Sequence, residues 1–232
     1  MQQLPLGVRL ADRALLESFL PGPNSQGHEH AQRIADGRSG DPTWYCGPHG
    51  VGKSHLLQAI CARASASARA AYLPLRELQT LGEGVLEGLT QLECLSIDDV
   101  DAVIGQGSWE HALFALYREM QERGGRLVLS AQAPPALLPW VLPDLGSRCA
   151  AAAVFQLRVL DESQQQQALQ LRARTRGVEL PDETARWLQR RFPRDMTTLY
   201  ELLDALDEEA LIAQRRLTVP FIRSVLRRRL ES

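Results

Sequence analysis

An α/β domain built on a five-stranded parallel sheet, followed by an all-helical domain, is the architecture that the sequence predicts. Three observations predict it. Short apolar, strand-like segments alternate with helical ones up to about residue 158. A glycine-rich turn stands between the first of these strands and the helix after it. Past about residue 159 strand-like segments stop, and helical ones follow one another.

The first 25 residues are punctuated by Pro5, Pro21, Gly22 and Pro23 and read as an extended arm leading to a loop; His28 and His30 read as a solvated loop. Thr43-Trp44-Tyr45-Cys46 is a buried strand, and a helix runs from Lys53 to about Ser65. Residues 70–73 form a second strand, and residues 92–97 a third that ends in Asp98-Asp99. Ser108 caps a helix reaching about Arg123, with Trp109, Ala112, Leu113, Leu116 and Met120 at helical spacing and Gly124-Gly125 as its stop. Residues 126–130 and 154–157 complete the sheet, and strands separated by helices imply parallel pairing with right-handed crossovers. Asp161 then caps a helix ending at Gly177, Pro181 opens a second, Arg194 or Asp195 a third running to about Gln214, and Pro220 a fourth. The predicted division is an N-terminal peptide over 1–10, an α/β nucleotide-binding domain over 11–158 and a helical lid over 159–232.

Composition narrows the class. A chain of 44% hydrophobic and 23% charged residues is that of an ordinary globular protein. No apolar run reaches the roughly 20 residues that cross a bilayer, and no secretory signal opens the chain, so a cytoplasmic location without a membrane partner is expected. Cys46, Cys61, Cys94 and Cys149 form no CxxC pair and read as buried free thiols, and the histidines lack metal-ligand spacing. The net charge of −2 supplies no overall field for nucleic acid. Arg223, Arg227, Arg228 and Arg229 near the C-terminus read as a solvated helix face, with DNA or an acidic partner as the alternative.

The chemistry concentrates in Gly47-Pro48-His49-Gly50-Val51-Gly52-Lys53-Ser54, which meets the pattern GxxxxGK[ST] between a strand and a helix. Its glycines permit backbone angles that turn amides towards phosphates, and the helix adds its positive end. Of the 26 basic residues only Lys53 is a lysine, and a compact ammonium reaches β- and γ-phosphates where a guanidinium is too wide. Ser54 is expected on Mg²⁺. The ligand expected is ATP or ADP with Mg²⁺. Asp98, at the tip of a buried strand, would hold Mg²⁺ through water, and Asp99 would orient or deprotonate an attacking water. Ser130 ends the next strand, where it could reach the γ-phosphate or remain an ordinary strand-end serine. Arg148 is read on a short polar turn before the fifth strand, either as a solvated arginine or as one completing a neighbour's site. Arg194 opens a lid helix and stays equally open.

Together these elements resemble the AAA+ class of P-loop ATPases, and within it the replication initiator DnaA and its shortened relatives, the Hda regulators. The resemblance spans nearly the whole chain. It rests on Phe19-Leu20-Pro21-Gly22-Pro23-Asn24-Ser25, Lys53-Ser54-His55-Leu56-Leu57, Ile97-Asp98-Asp99-Val100, Leu142-Pro143-Asp144-Leu145-Gly146-Ser147-Arg148 and Arg194-Asp195-Met196-Thr197-Thr198-Leu199. The stretches Gln167-Ala168-Leu169-Gln170-Leu171-Arg172-Ala173-Arg174 and Leu217-Thr218-Val219-Pro220-Phe221 match as well. The chain ends soon after the lid, where the initiator continues into a helix-turn-helix DNA-binding domain, and the Hda regulators are therefore the better match.

The resemblance implies that Arg148 is an arginine finger acting in trans and Arg194 the second-sensor arginine, with His55 part of the nucleotide site. It implies that Gln3, Leu4 and Leu6 dock on the sliding clamp (the β subunit of DNA polymerase III), although Gly7-Val8 departs from the docking pattern. Partners implied are DnaA and the clamp, DNA only indirectly, with a homo-oligomer left open. Gln132-Ala133 stands where relatives often carry Asp-Arg, which argues against strong autonomous hydrolysis. The expected role is a regulator that, with the DNA-loaded clamp, stimulates ATP hydrolysis by DnaA and prevents re-initiation. The rivals are a stand-alone ATPase of the helicase-loader or transposition-helper type and a P-loop small-molecule kinase.

Overall fold

The computed structural model describes residues 14–192, 196–213 and 217–230. The described residues divide into two units, one holding residues 14–16 and 23–158, the other residues 17–22 and those from 159 onward.

Short 3₁₀ turns at Leu16–Ser18 and Gly22–Asn24 follow the start of the described chain, and in the first unit helix α1 lies at Ser25–Ala35. Strand β1 (Thr43–Cys46) leads through the glycine-rich turn to α2 (Lys53–Ala64). Next come β2 (Ala70–Pro74), the single turn α3 (Leu75–Leu78), a run of 3₁₀ turns, and β3 (Cys94–Asp98). Then follow α4 (Gly107–Glu122), β4 (Arg126–Ala131), α5 (Pro143–Ala150) and β5 (Ala153–Gln156). The strands pair in the order β2-β3-β4-β1-β5, parallel throughout, as the alternation of strands and helices predicts. β1 and β3 are buried along their whole length, apolar residues and the polar Thr43, Ser96 and Asp98 alike. The main core gathers Trp44, Leu73, Leu95, Ile97, Trp109, Leu113, Met120 and Leu129.

The second unit is helical in every regular element from α6 (Glu162–Thr175) through α7 (Asp182–Arg191) and α8 (Met196–Ala213) to α9 (Val219–Leu230). Asp161 caps α6 in a capping box, its side chain accepting from Gln164 N at 2.8 Å while the Gln164 side chain accepts from Asp161 N at 3.0 Å. This unit has its own core, including Leu169, Ala173, Leu188, Leu199, Leu203 and Ile222. Among the described residues no helix is long and apolar enough to cross a membrane.

Three local readings are corrected. Ser108 does not cap α4 but lies within its first turn, the cap position being Gln106. His28 and His30 are not in a solvated loop: they lie on α1 and are 8% and 4% exposed. His28 Nε2 is 2.9 Å from Leu16 O, and His30 Nε2 is 2.9 Å from the Thr43 hydroxyl. Arg148 is not on a turn but inside α5. All four cysteines are buried and free, as expected.

Candidate nucleotide-binding site

The glycine-rich turn starts where β1 leaves the sheet. Gly47 has φ +150°, and a Cβ there would meet Leu157 O at 2.8 Å and Val51 Cγ1 at 3.1 Å. Leu157 is fixed in that place because its N–H donates to Cys46 O at 2.7 Å. Gly52, at φ +102°, is the left-handed residue that precedes α2. The first amides of α2 have no partner within the helix and carry its positive end.

Lys53 is 6% exposed, and its Nζ donates to Gly47 O at 2.8 Å and Pro48 O at 3.0 Å. Burial lowers its pKa, while Asp99, Asp98 and Asp101 pull it back up. A buried ammonium whose hydrogen-bond partners here are neutral carbonyls, set at a helix N-terminus beside glycine backbone, is a donor set that fits a polyphosphate anion. Around it Pro48, His49 and Ser54 are exposed, while Gly50, Val51, Gly52 and His55 are half-buried. His55 Nε2 is 2.9 Å from Leu15 O, so its ring ties α2 to the chain before α1.

β3 carries the acidic pair to the same end of the sheet. Asp98 is 2% exposed; its Oδ2 accepts from the Tyr72 hydroxyl at 2.6 Å, and its Oδ1 accepts from the Ser130 hydroxyl. The Asp99 N–H donates to Ser130 Oγ at 3.1 Å and to Asp98 Oδ1 at 3.2 Å. Tyr72 is thereby held as a donor, its pKa raised by burial and then by the Asp98 charge. Sheet register explains the grouping: Pro74 lies beside Asp98 and Ile97 beside Leu129, so the ends of β2, β3 and β4 converge.

Asp99 has φ +53°, the one non-glycine residue with positive φ among the described residues. Its Oδ2 accepts from Arg76 Nε at 2.9 Å, and Arg76 also lies 3.7 Å from Asp101. Burial raises the pKa of Asp101, and its Oδ1 has no hydrogen-bond partner. The Asp99 carboxylate is thus engaged by a cation that the sequence reading did not name. Tyr72 was missed as well. Neither is adjacent to a motif in sequence; only the strand order places them here.

Arg148 sits away from this cluster in the chain, on α5. Its guanidinium lies 5.3 Å over the Phe114 ring, and its Nη1 is 3.4 Å from Gln121 Oε1. Gln132 is exposed, one residue beyond β4. Arg194, Gln3, Leu4 and Leu6 lie outside the described residues.

Comparison with known proteins gives this geometry a family. Residues 10–156 match the family model of the bacterial DnaA ATPase domain, and residues 161–226 match the lid domain of Hda. Among solved structures, domain III of the replication initiation protein DnaA from Thermotoga maritima is similar with a TM-score of 0.78 at 23% identity, over 95% of this chain and 98% of that one. AMPPCP-bound DnaA from Aquifex aeolicus follows at 0.68 and 21% identity, over 84% of this chain and 66% of that one. The RuvB Holliday junction branch migration motor of Thermotoga maritima reaches 0.62 at 19% identity, over 94% and 72%. Those identities speak for the fold; the family models speak for descent. With its ATPase match covering more than half of the sequence, the chain belongs to the DnaA-related family of AAA+ nucleotide-binding proteins and carries a lid of the Hda type.

Proposed function

We propose that this chain is a nucleotide-holding AAA+ regulator that, together with the DNA-loaded sliding clamp (the β subunit of DNA polymerase III), stimulates ATP hydrolysis by DnaA and so prevents re-initiation of replication. The observation that carries the reading is the joining, in one chain, of a DnaA-type ATPase domain to an Hda-type lid.

Its own nucleotide is ADP or ATP with Mg²⁺, in line with the AMPPCP bound to the Aquifex aeolicus initiator. Lys53 and the glycine backbone would hold the phosphates. The exposed Ser54 hydroxyl would reach the metal directly, and Asp98 through water, since its Oδ2 keeps a lone pair beyond the bond from Tyr72 while Oδ1 is taken by Ser130 and the Asp99 N–H. Mg²⁺ would supply charge neutralisation at the phosphates. Ser130, bonded to Asp98, is the candidate sensor of that charge. The ion pair of Arg76 with Asp99 favours a chain that retains its nucleotide over one that turns it over quickly. Arg148 is then the contribution made to a partner's ATP, Arg194 is the second-sensor arginine, and Gln3, Leu4 and Leu6 anchor the chain to the clamp.

ATP turnover by purified DnaA, measured with this protein in the presence and absence of DNA-loaded clamp, tests the reading. Stimulation is expected only with the loaded clamp, and Arg148→Ala should abolish it, a loss of about 10³-fold or more for a trans arginine. ADP binding by the Arg148→Ala chain should stay at the natural level. Clamp-independent turnover by this chain alone would favour a stand-alone ATPase instead.

A further inference from the structure

We propose that one face of α4 is a cradle that positions Arg148, with the buried carboxylate of Glu110 as its anchor. The inference rests on the reading of Arg148 as a trans-acting arginine, and it assigns a positioning role to residues that no motif marks.

Glu110 is 0% exposed, yet it makes no ion pair among those the described residues form. Its carboxylate is satisfied by backbone instead. Oε1 accepts from Gly105 N at 2.7 Å and from Val141 N at 3.2 Å, and Oε2 accepts from Leu142 N at 2.6 Å. Leu142 is the residue that caps the start of α5. A buried carboxylate spent on the entry of one short helix fixes where that helix begins.

The same face of α4 holds the other end. Glu110, Phe114, Tyr117 and Gln121 are spaced by four, three and four residues, the repeat that lines one side of a helix. The Tyr117 hydroxyl donates to the carbonyl of Arg148 itself at 3.1 Å. Burial raises the pKa of that phenol to about 12, so it remains a donor. Phe114 lies under the guanidinium and Gln121 accepts from it. Gly146 completes the seat: a Cβ there would meet Trp140 Cδ1 at 2.7 Å, so α5 packs against the Trp140 ring at backbone distance. Backbone at both ends of α5 and the side chain of Arg148 are therefore all set from one helix. An arginine required to meet a phosphate on another molecule needs this, because a misplacement of about 1 Å can cost about a hundredfold in rate.

Glu110→Gln replaces an acceptor oxygen with a donor facing Leu142 N or Val141 N. Hydrogen exchange over residues 141–150 is expected to accelerate by about tenfold or more, with β1 and β3 unchanged. Clamp-dependent stimulation of DnaA should fall roughly ten- to hundredfold in maximal rate, with little change in the concentration giving half-maximal effect. ADP affinity and clamp binding of the Glu110→Gln chain should stay at the natural level, which a general loss of folding would not leave intact. Phe114→Leu keeps the carboxylate anchor and guards against a folding artefact; it should lower stimulation by about two- to fivefold. Natural exchange over 141–150 in Glu110→Gln, or loosened exchange with natural stimulation, overturns the proposal. Full stimulation by Arg148→Ala would sink the function reading instead, and the exchange pattern alone would then decide whether Glu110 anchors α5.

Discussion

Lys53 is buried against carbonyl oxygens, an arrangement that serves binding at the expense of stability. Moving an ammonium out of water is costly, and its lowered pKa records that cost. Two neutral hydrogen bonds return part of it, and the carboxylates of Asp99, Asp98 and Asp101 return more at longer range. Lys53→Met keeps most of the stem and removes the charge. The nucleotide-free variant is therefore expected to melt no lower than the natural chain, while its affinity for ADP and ATP falls at least about tenfold, since a unit charge about 4 Å from a phosphate contributes roughly 4 kcal/mol near a protein surface. Thermal melting and titration with a fluorescent nucleotide check both halves. A large drop in melting temperature without nucleotide would show that the ammonium is structural. At this scale the site was readable: the loop lies in consecutive residues, so chemistry and spacing coincide. Arg76 and Tyr72 were not readable, because they meet Asp99 and Asp98 only through the pairing of β2 with β3.

Among the elements, sequence reasoning missed the single turn α3 and, for a shared reason, α1 and α5. Their buried faces carry one large aliphatic residue each, Ile34 on α1 and Leu145 on α5, among small or polar ones: Gly27, His28, His30, Ala31 and Ala35 on α1, and Gly146 and Cys149 on α5. Neither shows the apolar stripe by which helices are recognised, whereas β1 is an unbroken buried run and was located to the residue. What replaces the stripe on α1 is hydrogen bonding. Arg33 Nη2 lies 2.9 Å from His30 Nδ1, and the Thr43 hydroxyl donates to Asp41 O, so Nδ1 accepts from Arg33 and Nε2–H donates to Thr43. The ring also lies 4.7 Å from Phe155 on β5. This arrangement holds His30 neutral, and its pKa is lowered from 6.5 by burial and by Arg33, with Asp41 opposing. Because the folded value lies below the unfolded one, this contribution to stability is present above about pH 6.5 and is lost as pH falls through the folded value. Urea unfolding at about pH 7.5 and about pH 5.5 should show the natural chain losing more stability on acidification than His30→Gln does. Equal losses would mean that His30 does not titrate in the seat of α1.

For the molecule as a whole, each of the two units has apolar packing of its own, and the second is held by charge as well as by apolar contact. Asp204 on α8 accepts from Arg172 Nε at 3.1 Å and Nη2 at 2.8 Å, and also from Arg176 Nη1; Arg176 Nε bonds to Asp207 at 2.9 Å. The arginine side chains are only 11% and 9% exposed, and Arg172 lies 4.6 Å over the Tyr200 ring. Arg176 Nη2 is buried with no hydrogen-bond partner among the described residues. Asp204→Ala would take the carboxylate from two poorly hydrated guanidinium groups, leaving Asp207 to Arg176, and breaking a buried pair from one side costs about 3–5 kcal/mol. That is a large share of what a four-helix unit of this size can hold. The loss should stay local, because Asp204 and both arginines belong to the second unit. Peptide-resolved hydrogen exchange is expected to speed up across α6 and α8 while β1, β3 and β4 keep their protection. If protection instead falls together across both units, the two cores fold as one cooperative body and a separately stabilised lid is ruled out.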